Sequence, residues 1–134
     1  ALGELPQQNP HRVELVVARQ EALPGRAGRH VVELELTLPI GAIGVRAVGE
    51  AYRTEARVAV AVVDGSGLLL ESQHLQLPLE IPASDLELAR AQYYQALIRL
   101  ELPAGEHRLS LGLWDEVSGS SSYLGMSLVV EAGQ

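Results

Sequence analysis

The segment HVVELELTL, residues 30–38, sets Val32, Leu34, Leu36 and Leu38 against Glu33, Glu35 and Thr37 in strict alternation. A period of two is the side-chain period of a strand, whereas a helix would scatter these residues around its axis. One apolar and one polar face is the mark of an antiparallel sheet packed on one side. The pattern recurs. HRVELVVA alternates Val13, Leu15 and Val17 with Arg12, Glu14 and Val16, and YYQALIRLEL alternates Tyr94, Ala96, Ile98, Leu100 and Leu102. HRLSLGLWD sets Leu109, Leu111 and Leu113 against Arg108, Ser110, Gly112 and Trp114, and YLGMSLVVE supplies a last strand. ARVAVAVVD is apolar on both sides, as a central strand would be.

Turn chemistry separates these runs: LPGRAG at 23–28, Asp64–Gly65 in DGSG, and Pro103 and Gly105 in PAGE. LLLESQHLQLPLEI returns from the DGSG turn as one or two strands broken near Pro78. Residues 39–55 carry spaced glycines and mixed polarity and read as a loop with a short edge strand at Ile43 to Val48. PASDLELAR suggests one short helical turn over 84–90, with Ser84 and Glu87 in capping-box positions. The predicted fold is all-β: an immunoglobulin/fibronectin-III-like antiparallel β-sandwich of about seven to eight strands with one short helical turn. Residues 1–10 are expected to be a linker and 11–132 a single β-sandwich domain within a longer polypeptide.

With 47% apolar residues in a chain of 134, a core is affordable, yet there is no Phe and aromatics are 4%. Val, Leu, Ile and Ala must build it. The net charge is −7 and every basic residue is Arg, which argues against the clustered basic face that nucleic acid requires. No cysteine is present, so thiolate zinc sites, redox centres and disulfides are excluded. No run of about 18 apolar residues marks a membrane span, and ALGELPQQNP lacks the basic start and apolar run of a signal peptide.

The stretch LWDEVSGSSSYLG, residues 113–125, gathers two acids, a tryptophan and four serines. A serine nucleophile here would need a histidine, and the nearest, His107, stands about 26 Å from Asp115 along one strand. No G-x-S-x-G elbow is present. Asp115, Ser118 and Gly119 therefore read as a turn whose side chains bond to backbone amides. The DGSG segment offers Asp64 and Ser66 as oxygens, far short of the six to eight a calcium ion takes, so a plain turn is the simpler account. His11, His30, His74 and His107 have no partner at metal-ligand spacing and read as solvated or capping residues. No cofactor is implied. Tyr93, Tyr94 and Trp114 could form an aromatic platform or could cover the sheet ends.

LELPAGEHRLSLGLWDEVSGSSSYLGMSLVV resembles the β-sandwich domain that follows the von Willebrand factor A-like domain in bacterial VWFA-related proteins of Acidobacteria-type genomes. Leu102, Pro103, Gly105, His107 and Leu109 match one half of that family's pattern, and Asp115, Glu116, Ser118, Gly119, Ser122 and Tyr123 the other. AVAVVDGSGLLLESQHLQLPLEIP fits its middle hairpin. The resemblance implies a secreted, periplasmic or envelope-attached accessory module without catalytic residues, with Tyr123 packed across the sandwich and Asp115 bonded to the following loop. His107 stands where related sandwiches carry a corner tyrosine bonded to backbone.

Three functions are thus expected in order: a non-catalytic module for structural or protein–protein contacts, a carbohydrate- or peptide-binding module using Tyr93, Tyr94 and Trp114, and an enzyme, which would need His107 or His74 to meet an acid and a serine. The partner is a neighbouring VWFA-like domain, another protein or a second copy. Val16, residues 58–63 and Leu68–Leu70 carry more apolar surface than one sandwich covers.

Overall fold

The computed structural model describes residues 8–132. Its strands are β1 (Glu14–Ala22), β2 (Arg29–Pro39), β3 (Val45–Val48), β4 (Ala51–Thr54), β5 (Ala56–Asp64), β6 (Leu69–Leu77), β7 (Glu80–Pro82), β8 (Tyr93–Pro103), β9 (Gly105–Asp115) and β10 (Ser120–Val130). One helix, α1 (Leu86–Arg90), follows a 3₁₀ turn at Ala83–Asp85. Two sheets face each other, in the orders β1-β2-β8 and β10-β9-β5-β6, and a small sheet β3-β4-β7 lies beside them. Every pairing is antiparallel.

This strand order is that of an immunoglobulin-like sandwich. β1, β2 and β8 occupy the A, B and E places, and β5, β6, β9 and β10 the C, C′, F and G places. The sandwich proper holds seven strands, as the alternation predicts. The three short ones are additions within the connections between the two sheets. The stretch 39–55, expected as a loop with one edge strand, carries both β3 and β4. A four-residue strand is too short for a period to show in sequence.

Alternation becomes burial directly. Val32, Leu34, Leu36 and Leu38 from β2 meet Val58, Val60 and Val62 from β5 and Leu109, Leu111 and Leu113 from β9 in one core. Tyr94 packs against it from β8. β5 is central, between β9 and β6, and its outward Ala59, Ala61 and Val63 are half-buried. Ser84 does not cap the helical turn through its side chain; the residue before α1 is Asp85.

The open edge of β8 is closed by side chains. Gln73 of β6 donates to the Arg99 carbonyl at 2.6 Å, and the Glu101 amide donates to the Glu71 carboxylate at 3.2 Å. Those two polar residues face inward on β6, and they occupy backbone groups that would otherwise template a foreign strand.

At the β8–β9 corner, His107 Nε2 donates to the Pro103 carbonyl at 2.8 Å. Histidine thus makes the bond that a tyrosine makes in related sandwiches. Gly105, at φ +135°, lets the chain turn beneath the ring, and a Cβ there would come within 3.4 Å of its Cε1.

Leu113 is fully buried while Leu97 is 61% exposed. Leu113→Ala is expected to cost about 2–5 kcal/mol, and Leu97→Ala to stay within about 0.5 kcal/mol. Urea unfolding of the two variants checks this.

Candidate functional site

A buried polar cluster sits where β9 ends and β10 begins. Asp115 closes β9 and is 1% exposed. Its Oδ1 accepts the amides of Val117 and Ser118 at 3.1 and 3.2 Å, which is the turn predicted from sequence. Its Oδ2 accepts the Gly44 amide at 2.8 Å, reaching the connection between β2 and β3. That approach requires glycine: a Cβ on Gly44 would stand 3.0 Å from Val117 Cβ and 3.1 Å from the Ser118 nitrogen.

Onto this carboxylate folds His11, also 1% exposed. Its Nε2 lies 3.3 Å from Asp115 Oδ2 and 2.9 Å from Ser120 Oγ, and its Nδ1 lies 2.5 Å from Ser122 Oγ. The His11 amide donates to the same Ser122 oxygen at 3.2 Å. With hydrogen on Nε2, the ring donates toward Asp115 and accepts the Ser122 hydroxyl proton at Nδ1, so each polar atom has a partner. Ser118 Oγ stands 2.6 Å from Ser120 Oγ and carries the chain of hydroxyls out to the surface.

Local structure aims His11 inward. Asn9 exchanges hydrogen bonds with Val13, its Oδ1 accepting the Val13 amide and its Nδ2 donating to the Val13 carbonyl, both at 2.9 Å. Arg12 holds φ at +54° to make the reversal, a conformation that costs a non-glycine residue about 1–2 kcal/mol. Gln8 adds a bridge to Tyr123 on β10. Residues 8–10, expected as linker, are therefore part of the fold, and residues 1–7 of that expected linker lie outside the described residues.

Sequence reasoning missed this assembly. The distance argument held for His107 and Asp115, but a histidine more than a hundred positions away fills the place instead. Three of the four histidines, His11, His30 and His107, are buried rather than solvated; His74 alone is exposed. A lone histidine beside an alternating strand gives no local signal of a partner that distant.

Burial opposes the charged form of Asp115. The Gly44 amide, the hydroxyl and amide of Ser118 and the nearby His11 outweigh it, and its pKa falls below the ordinary carboxylate value. The chemistry open to the cluster follows from exposure. Ser, His and Asp are connected as in a hydrolytic relay, but Ser122 is fully buried, so its hydroxyl cannot meet a substrate in this conformation. The network joins three segments: the start of the sandwich, the β2–β3 connection and the β9–β10 turn.

The expected aromatic group does not come together. Tyr94 faces the core and Tyr93 is 66% exposed at the start of β8. Trp114 lies on the outer face of the other sheet, in the row Ser121–Trp114–Arg57. Its partner is Tyr123, which was expected to pack across the sandwich and is instead 45% exposed on that outer face. Position 123 pairs with Gly112, whose neighbours Leu111 and Leu113 point inward, so alternation sends Tyr123 out. The two rings meet edge to face at 6.0 Å, and the indole nitrogen donates to the Tyr123 hydroxyl at 3.2 Å. Arg57 places its guanidinium 5.4 Å from the indole centroid. The indole lies against Gly112, where a Cβ would fall 2.6 Å from Cη2.

The Asp64–Gly65 turn is made as predicted. Asp64 Oδ1 accepts the Ser66 amide and hydroxyl at 2.8 and 2.6 Å and the Leu68 amide at 3.0 Å. The Ser66 hydroxyl first, then the Leu68 and Ser66 amides, hold the Asp64 pKa below its ordinary value. No group of three or more acids and histidines placed to hold a metal occurs among the described residues. Val16, Leu68 and Leu69 are more than half exposed. Among the described residues no helix is long and apolar enough to cross a membrane.

No protein-family model matches the chain. No curated protein matches it either. Among solved structures it is similar to a structural-genomics target at TM-score 0.47 and 16% identity, covering 91% of this chain and 88% of that one. A Bordetella pertussis protein described as ApaA gives TM-score 0.43 and 13% identity, with 91% and 94% covered. The C-terminal domain of wzt gives 0.39 and 10%, with 91% and 72% covered. Likenesses this distant carry no functional argument, and the sandwich assignment rests on the chain's own strand order.

Asp115→Asn replaces an acceptor oxygen with a donor facing amide donors, and is expected to cost about 1–3 kcal/mol. Because the folded pKa of Asp115 is depressed, its contribution is complete above the unfolded value, about 3.9, and is lost as pH falls through the lower folded value. As pH falls from the unfolded toward the folded value, the melting temperature should therefore drop less steeply for Asp115→Asn than for the wild type.

Proposed function

We propose that this chain is a non-catalytic β-sandwich module that mediates structural or protein–protein contacts within a larger polypeptide of the bacterial envelope or secreted fraction. The observation that carries the reading is the use of the Ser122–His11–Asp115 set. Its members are 0–1% exposed and bonded to one another and to backbone, so they serve cohesion between segments. The likeness of residues 102–123 to the accessory domain of VWFA-related proteins supports the location and the partner, a neighbouring domain or another protein. The test is a photo-cross-linking residue at position 123 in the source cell, followed by fractionation and immunoblotting. A product much heavier than 14.4 kDa in the envelope or medium is expected. Labelling of the purified protein by a fluorophosphonate, abolished by Ser120→Ala, would instead establish a reactive serine and overturn the reading.

A second reading, a carbohydrate- or peptide-binding module, is favoured by one feature: the indole of Trp114 held on the outer sheet face between Gly112, Arg57 and Tyr123. Trp114 is the single tryptophan, so intrinsic fluorescence reports on this place alone. Under this reading a glycan or peptide panel should contain members that shift or quench the emission. An unresponsive tryptophan across a broad panel removes it.

A further inference from the structure

The end of the sandwich opposite the Asp115 cluster carries both a protrusion and a hollow. Asp64 pairs with His107 across β5 and β9, and Arg29 with Pro103 across β2 and β8. The β5–β6 turn, the β8–β9 corner and the β1–β2 turn therefore share this end. At the tip of the β5–β6 turn, Leu68 and Leu69 are 63% and 56% exposed. Their backbone is held in place. The Leu68 amide donates to Asp64 Oδ1 at 3.0 Å, the Leu68 carbonyl accepts the Asp64 amide at 2.9 Å, and the Gly67 amide donates to the Asp64 carbonyl at 3.0 Å. A leucine held out in water on a rigid turn has little backbone freedom left to lose, so burying it favours association.

The hollow has a volume of about 260 Å³ and is lined by Leu23, Ala104 and Ala132, with Arg26, Arg29 and His30 completing it. Small-molecule sites run to roughly 300–1,000 Å³, so this one suits a single aliphatic side chain. Charge sorts the two features. Asp64 stands at the base of the leucine turn, and Arg26 and Arg29 stand at the hollow. A turn meeting a hollow brings opposite charges together, whereas a turn meeting a turn would bring two Asp64 carboxylates together.

We propose that Leu68 of one copy seats in the hollow of a second copy, and that a two-fold axis at this end lets the second copy return the same contact. Because protrusion and hollow lie on one end of the module, both contacts form at once. The assembly then closes as a dimer instead of growing into a chain. The inference rests on the contact-module reading above and names its partner. Two seated leucines make a small interface, so the dimer of free modules is weak. It strengthens where larger polypeptides hold two modules close together.

The chain contains no cysteine, so single introduced thiols are clean reporters. Leu69→Cys marks the turn and Ala27→Cys the rim of the hollow, both at exposed positions. Under oxidised glutathione, an equimolar mixture of the two variants is expected to form the mixed disulfide about tenfold faster than either variant couples to itself. Adding Leu68→Ser to the Leu69→Cys chain should remove that advantage. Sedimentation of the unaltered chain up to about 1 mM is expected to show a reversible monomer–dimer equilibrium. A chain that stays monomeric over that range overturns the proposal, and needs no variant to do so. Leu69→Cys coupling to itself as fast as to Ala27→Cys also overturns it, since turns would then meet turns. Species heavier than a dimer reject the closed two-fold contact. None of these results removes the broader reading, because a module that contacts a different protein still gives the heavy product cross-linked from position 123.

Discussion

One buried carboxylate holds together three parts of the chain that the sheets alone would leave loose. Asp115 takes amides from its own turn, an amide from the β2–β3 connection and the ring of His11. In a sandwich the strand ladders fix neighbours within a sheet, but connections between sheets depend on what they meet at the ends. At this end they meet a charge. Burying one is costly unless its oxygens are fully bonded, and here both oxygens are. The demand propagates outward: Gly44 must lack a Cβ, Arg12 must accept a left-handed backbone, and Asn9 must brace Val13.

What the sequence made legible follows from range. Val32 to Leu38 and Leu109 to Leu113 declare their face because alternation is written in neighbouring residues, and the core is built from them. The turns at Asp64 and Asp115 were legible for the same reason, since an acid reaching amides two to four positions ahead is a local act. The partnership of His11 with Ser122 was not, because nothing in either neighbourhood names the other. β3 lies within the edge strand expected at Ile43 to Val48, whereas β4 escaped through brevity. Tyr123 was placed by the resemblance, which implied packing across the sandwich, yet its position opposite Gly112 puts it on the outer face.

The histidine corner shows how a fold tolerates exchange at a structural position. What the β8–β9 turn requires is a ring that fills the corner and offers one hydrogen to a carbonyl. Tyrosine meets this with a hydroxyl at the end of a long ring. His107 meets it with Nε2 and a glycine turn beneath that lets the smaller ring approach, though its Nδ1 has no partner among the described residues. The residue differs and the contact is kept.

The three buried histidines form a series in how completely they are answered. Around His11 both ring nitrogens and the backbone amide are bonded, and the cluster joins distant segments. His107 has one nitrogen bonded and one bare, which is the cost of making a corner with imidazole. Among the described residues His30 has neither, yet it sits in the same kind of inward position on a strand that leucine and valine fill elsewhere. A polar side chain kept in a core position is explained when its bonds are visible, as at His11. By the same accounting, His11 is held by its bonds and His107 by one of them, while His30 keeps its place at the end of β2 with neither ring nitrogen bonded among the described residues.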